Sequence, residues 1–473
     1  MDDDVGGATV EPERRDRVER GLAPALEVVG RPAEHFTLSS RMARYQVPGL
    51  ALAVVDDDRI VWAAGYGSGC ADGAPVEATT LFQAASISKA VAAVGVLHLV
   101  EQGVLDLDTD VNSGLRRWRL PVSPHTEDRP VTLRDLLSHT GATTVAGFPG
   151  YPVDSDLPTI VDVLCGRGSA NTPPVESFAP PGTRTEYSGG GTTIVQLLVE
   201  DVTGRDFAEL MADLVLRPFG MVDSAFAQPL PAERARRAAV GHHADGTPVP
   251  GGHRVHPELQ AAGLWTTAVD LARWILGVQR SLHGAEGGPL STETAHLMVA
   301  AVGDGSYGLG PRLEGDDEHR RFGHRGTNEG FSGEVDGLVD RPTGAAILTN
   351  GDGGAALCLE VRKALAAEYG WGPVGPPPVV AAAVDPEVLR RYTGRYAGPL
   401  GLSISLELDD GELFSPAPYG RRRIVALGRT TFLDEETGAT LEVESDGERV
   451  ERIAVLLDGN EVAELTPVPA SSD

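Results

Sequence analysis

Two apolar runs rich in β-branched residues flank three aspartates in VPGLALAVVDDDRIVWAAGYG, residues 47–67. Strand-like runs broken by a short polar stretch predict a β-hairpin that turns at Asp56–Asp58. Further on, SISKAVAAVGVLHLVEQG (residues 86–103) is apolar on nearly every face. That pattern predicts a buried central helix, with Gly103 just past its C-terminus. Helical and strand-like segments then mix as far as about residue 370, and short strands return in FSGEVDGLVDRPTGAAILTNG, residues 331–351. Strands at both ends of a domain with helices between them predict an antiparallel sheet with helices packed against it, an α+β fold.

The pattern changes after GWGPVGPPPVV, residues 370–380. Proline and glycine at this density favour extended backbone and mark a boundary. Beyond it, LSISLELDDGELF and TTFLDEETGATLEVESDGERVERIAVLLDGNEVAEL alternate apolar and polar residues, with turn signals at DDG, ETG, SDG and LDGN. About eight short strands fit in residues 386–470, which predicts a small all-β antiparallel barrel. The expected organisation is therefore a polar tail (1–20), a main domain (21–370), a Pro-rich linker (371–385) and a barrel (386–470).

The formal net charge is −28. Such a chain is repelled by nucleic-acid phosphates and anionic membrane surfaces, so neither is expected as a partner. Cys70, Cys165 and Cys358 stand far apart, with no CxxC pair and no zinc-site spacing, as expected for reduced thiols. The N-terminus MDDDVGGATVEPERRDRVERG has no basic start followed by an apolar run, and no apolar stretch approaches a membrane span. A cytoplasmic location is expected on these grounds. His242 and His243 lack metal-ligand partners at useful spacing. GDGG near residue 351 is followed by no P-loop lysine.

Basic residues direct attention to one place. Of 40 Lys and Arg residues only two are Lys, Lys89 and Lys363. Lys89 follows Ser86 by three residues, so the two are neighbours on the first turn of the apolar helix. A serine hydroxyl is a weak nucleophile until a base removes its proton. Lysine can be that base, because burial lowers its pKa. Arginine cannot, because guanidinium does not deprotonate in proteins.

Around this pair the chain resembles the serine β-lactamase and penicillin-binding-protein-like superfamily, in its class C and esterase-like branch. The resemblance covers most of residues 25–370 and rests on landmarks in order. These are the strand pair at 47–67, FQAASISK, VTLRDLLSHTGA, PPGTRTEYSGGGTTIVQLLVEDVTG, AAGLWTTAVDLARWI and FGHRGTNEGFSG. It implies the β-lactamase/transpeptidase-like fold, with a helical subdomain beside the antiparallel sheet. The barrel resembles a lipocalin-like accessory domain found behind this catalytic domain in some relatives.

The resemblance also implies roles. Ser86 would be the acylated nucleophile, and Lys89 would share the proton work. Tyr187, in YSG, would serve as partner base and as acid toward the leaving group, with Lys89 supplying the positive charge that lets a phenol ionise. His324, in HRG, would orient Tyr187 or the substrate. The backbone N–H groups of Ser86 and Thr327 would form the oxyanion hole, and Gly326 would let substrate lie close to its strand. Gly189 departs from the family's Y-x-N element, where an Asn amide faces the substrate; this puts β-lactam recognition in doubt. Thr132 and Asp135 read as a helix cap, and His139 as structural.

The implied function is a serine hydrolase that forms an acyl-enzyme on Ser86 and cleaves an ester or amide, small peptides with D-residues among them. No metal or organic cofactor is expected. A rival is an acyltransferase or peptide cyclase of penicillin-binding-protein type, in which an amine or alcohol intercepts the acyl-enzyme. A rival from another class is a non-catalytic scaffold on the same fold. Oligomeric state is not legible.

Overall fold

The structure, a computed structural model, describes residues 12–398, 403–417, 420–446, 449–457 and 460–468. Most of the expected tail, and Gly447, Asp458 and Gly459 of the last two turn signals, lie outside the described residues. The chain forms two compact units, one of Val47–Gly354 and one joining Pro12–Gln46 to the chain from Ala355 onward. No helix among the described residues is long and apolar enough to cross a membrane.

The first unit is built on the expected hairpin. Strand β1 (Gly49–Asp56) pairs antiparallel with β2 (Arg59–Gly67), and Asp56 faces Arg59 across the turn. Asp57 and Asp58 both take left-handed backbone, at φ 53° and 58°. A two-residue turn with positive φ at both positions matches the right-handed twist of its strands, and aspartate tolerates that conformation better than most residues. A second short pair, β3 (Phe82–Gln83) and β4 (Trp265–Thr266), lies apart from the main sheet. Strands β5 (Arg312–Glu314), β6 (Arg321–Asn328), β7 (Phe331–Leu338) and β8 (Gly344–Thr349) complete the main sheet. Its order is β2-β1-β8-β7-β6-β5. β1 pairs with β8, so the two ends of the unit close onto each other as expected.

The helix Ala268–Leu282 packs against β1, β2, β7 and β8, and the helix Ile87–Glu101 packs against β6 and β7. The latter is buried without a break from Ile87 to Leu97. At roughly 25 cal/mol per Å² of apolar surface removed from water, a helix buried all round is held by packing rather than by its own propensity. It ends at Glu101, and Gly103 takes φ 68°. The short helix Leu133–Leu137 carries the expected capping box: Thr132 accepts from the Asp135 N–H, and Asp135 accepts from the Thr132 N–H.

The second unit holds a closed eight-stranded antiparallel barrel. Its strands are β9 (Gly394–Ala397), β10 (Ser403–Asp409), β11 (Glu412–Ala417), β12 (Gly420–Ala426), β13 (Thr431–Asp434), β14 (Thr440–Ser445), β15 (Val450–Leu457) and β16 (Asn460–Pro467). β9 pairs with both β10 and β16, which closes the sheet and removes its edges. Alternation fills the interior: in β14, Leu441 and Val443 are buried while Glu442 and Glu444 are exposed. The early segment joins this unit through apolar and ionic contacts. Leu26 and Val28 cluster with Val425 and Leu433. Arg44 reaches Glu436 at 2.8 Å, and buried Arg41 pairs with buried Glu360.

Candidate active site

The turn before the long apolar helix is held from three directions by one segment, Ala261–Thr266. β3 pairs with β4. The Ala84 N–H donates to the Leu264 carbonyl at 2.9 Å. The Leu264 N–H donates to Ser88 Oγ at 3.0 Å. Between these ties Ala85 takes φ 48°, a conformation an L-residue with a Cβ rarely adopts. Such strain persists only where its surroundings over-determine it. Its result is that Ser86 alone, between Leu81 and Leu97, is not buried.

Lys89 lies beneath Ser86, 3% exposed. Its Nζ is 3.0 Å from Ser86 Oγ and donates to the Ala261 carbonyl oxygen at 2.8 Å. Burial draws its pKa down from the ordinary lysine value to about 7. The segment bearing Ala261 is in turn gripped by Gln196, whose Nε2 donates to the Pro257 carbonyl (3.3 Å) and whose Oε1 accepts from the Gln260 N–H (3.2 Å).

Tyr187 faces the same serine, and Ser86 acts on the titration of its hydroxyl. Lys89 Nζ stands 4.9 Å from the centre of its ring. Burial around the hydroxyl pushes its pKa above the ordinary tyrosine value, nearby Tyr307 adds to this, and Ser86 opposes it.

His324 on β6 is buried, with Nδ1–H donating to the Arg325 carbonyl at 2.6 Å. Nε2 is therefore the lone-pair nitrogen; it is buried and has no hydrogen-bond partner among the described residues. Burial and the Lys89 charge hold the imidazole neutral, well below its ordinary pKa. Its ring centre is 6.0 Å from that of Tyr187.

The room that Gly326 leaves is filled by protein. A Cβ there would lie 2.1 Å from the Ala84 carbonyl oxygen and 3.2 Å from Ala85 Cβ. This contact sets β6 against the nucleophile turn, and Thr327 and Ser86 are each the next residue along. Pairing of β5 with β6 ends at Gly323, and Thr327 is exposed beyond it. Gly189 opens the helix Gly189–Thr203. A Cβ there would meet Phe148 Cε2 at 2.9 Å and the Ala146 carbonyl at 3.1 Å. The loop before Gly150 thus takes the space into which a side chain at 189 would grow, and it also satisfies the helix start. The Gly189 and Gly190 N–H groups donate to the Ala146 (3.0 Å) and Val145 (2.8 Å) carbonyls.

Three features of the site were not legible in the sequence. The Ala261 carbonyl is backbone and leaves no side-chain signal. Tyr307 lies in a glycine-rich loop, with its ring 6.1 Å from Tyr187 and 6.3 Å from His324. His139, read as structural, has its ring 4.6 Å from Tyr187.

Comparison with known proteins agrees with this architecture. Esterase EstB of Burkholderia gladioli is 34% identical over 187 residues, 38% of this chain and 45% of the esterase. Protein flp of Staphylococcus aureus (strain N315) is 24% identical over 297 residues, 60% of this chain and 56% of that protein. The chain thus spans about half the length of the curated relatives it matches. The octameric penicillin-binding protein homologue from Pyrococcus abyssi shares the fold at TM-score 0.60 and 22% identity, over 90% of this chain and 98% of that one. The Beta-lactamase family model matches residues 37–368, a span that contains every residue of the site just described. With that match over most of its length, the chain belongs to the Beta-lactamase family.

Proposed function

We propose that this protein cleaves a small ester or amide through an acyl-enzyme on Ser86, with Lys89 as the base. The observation that carries this reading is the 3.0 Å approach of a buried lysine, with pKa about 7, to the one accessible serine hydroxyl of its helix. A neutral amine has two N–H groups and one lone pair. One N–H goes to Ala261, which leaves the lone pair free to face Ser86. The serine proton passes to Lys89 as Oγ bonds to the substrate carbonyl carbon. The oxyanion that forms faces the backbone N–H groups of Ser86 and Thr327.

Tyr187, held protonated by burial, is the acid: it gives its proton to the leaving oxygen or nitrogen, and the proton on Lys89 restores it. Water then repeats the sequence in reverse and releases the acid product. His324 Nε2, a lone pair with no hydrogen-bond partner among the described residues, is an acceptor for Tyr187 or for a substrate N–H. General-base catalysis of this kind is typically worth about 10²–10⁴-fold.

The test is labelling by a fluorophosphonate probe, with mass-spectrometric location of the adduct and turnover of p-nitrophenyl esters alongside. Labelling at Ser86, lost in a folded Ser86→Ala variant, is the expected result. A parent protein that neither labels nor turns over any ester or amide is a scaffold, and the reading fails.

A further inference from the structure

His139 grips Tyr187 on both sides. The N–H of Glu186, the residue before it, donates to the His139 carbonyl at 2.8 Å. The N–H of Ser188, the residue after it, donates to His139 Nδ1 at 3.2 Å. Between these bonds the imidazole lies against the phenol ring, with centres 4.6 Å apart and planes at 45°. Tyr307 stands edge-on to the same imidazole at 4.7 Å. The backbone at His139 takes φ 59°, and its carbonyl and its side chain both reach the tripeptide Glu186–Tyr187–Ser188. We propose that His139 is a positioning residue, which fixes Tyr187 against Ser86 by holding the backbone on either side of it and one face of its ring.

The tautomer follows from the bonds. Nδ1 accepts from Ser188, so the proton sits on Nε2, which is buried and has no hydrogen-bond partner among the described residues. Protonation would put a hydrogen on Nδ1, the ring's second, and break the hold on Ser188. Burial and the nearby Lys89 charge keep the group neutral, with pKa about 3. The clamp therefore stays closed across the pH range in which Lys89 changes charge.

This inference rests on the hydrolase reading, and the experiment separates the two. Single-turnover acylation by a p-nitrophenyl ester is measured for His139→Leu, His139→Gln and His139→Asn, each in the parent and in Tyr187→Phe. Asn sets an acceptor where Nδ1 was and tolerates positive φ; Leu and Gln do not place an acceptor there. Because a misplacement near 1 Å costs about 10²-fold, His139→Leu and His139→Gln should slow acylation by about that factor, with KM changed less than about threefold. His139→Asn should stay within about tenfold of the parent. In Tyr187→Phe the same His139 substitutions should add less than about threefold, since the residue they act through is already disabled. A full, additive loss in Tyr187→Phe, or an Asn variant as slow as Leu, overturns the proposal. If His139→Leu does not fold, His139→Gln carries the same expectation. If the parent does not acylate at all, the hydrolase reading fails, and a crystal structure of His139→Gln decides the inference: Tyr187 unmoved relative to Ser86 refutes it, and Tyr187 displaced supports it.

Discussion

Lys89 donates to the carbonyl oxygen of Ala261 across 2.8 Å and stands 3.0 Å from Ser86 Oγ, so its amine is held between a backbone carbonyl and the serine. A buried amine tethered this way acts as a base only when neutral. With its pKa drawn down to about 7, the neutral fraction rises tenfold per pH unit below that value and saturates above it. Acylation should therefore climb with unit slope from pH 5 and level off above about 7. Labelling rates across pH 5–9, at constant ionic strength, give the profile. A flat profile, or an inflection above pH 9, rules out Lys89 as the titrating base.

Arginine at position 89 keeps the charge but cannot release its proton. Lys89→Arg should slow acylation at least about a hundredfold, the lower end of general-base effects. The chain's other lysine is the control. Lys363 Nζ donates to two backbone carbonyls, Ala25 at 3.0 Å and Pro24 at 2.5 Å. A guanidinium also donates, so Lys363→Arg should leave acylation unchanged. A folded Lys89→Arg protein that acylates within tenfold of the parent contradicts the mechanism.

The same burial should make the lysine costly to stability. In the unfolded chain it titrates near its ordinary value of 10.5, and in the fold near 7. Between these values the unfolded state holds the extra proton, so parent stability rises with pH there. Lys89→Met removes the buried amine, and replacing buried charge by apolar volume is often stabilising by about 1–4 kcal/mol. Denaturant midpoints should show Lys89→Met more stable than the parent below pH 7, with the advantage shrinking toward pH 10. A variant less stable than the parent at pH 6 would show that its two hydrogen bonds outweigh desolvation.

Phe148 and Ala146 fill the space around Gly189. An asparagine forced in there overpacks the loop and should cost about 1–3 kcal/mol. Phe148→Ala should recover part of that loss in Gly189→Asn. With no amide at this position, nitrocefin turnover should fall well below p-nitrophenyl ester turnover in the parent. A parent kcat/KM for nitrocefin above the ester value would show that β-lactams are recognised without that amide.

Local patterns carried much of the fold. The β1–β2 turn is written in aspartates that tolerate positive φ at 57 and 58. The Thr132–Asp135 cap sits within four residues of itself, and the barrel's alternation is visible strand by strand. These features depend on neighbours close in sequence, so their residue types suffice to reveal them. The direction in which the Tyr187 pKa moves depends on how much protein surrounds its hydroxyl, and a motif does not record burial.

By itself the sequence determined that a serine and a lysine share one turn of an apolar helix, and that a sheet-and-helix domain precedes a barrel. Only the tertiary structure decided which groups converge on Ser86. Ala261 lies 172 residues from Lys89 in the chain, and His139 lies 49 from Ser188. Contacts across such distances are set by how the helices and β6 pack around one core, where close packing fixes positions to fractions of an ångström. The lysine's lowered pKa, the raised phenol and the lone pair on His324 all follow from that packing, because excluding water changes the cost of charge far more than changing the neighbour in sequence does.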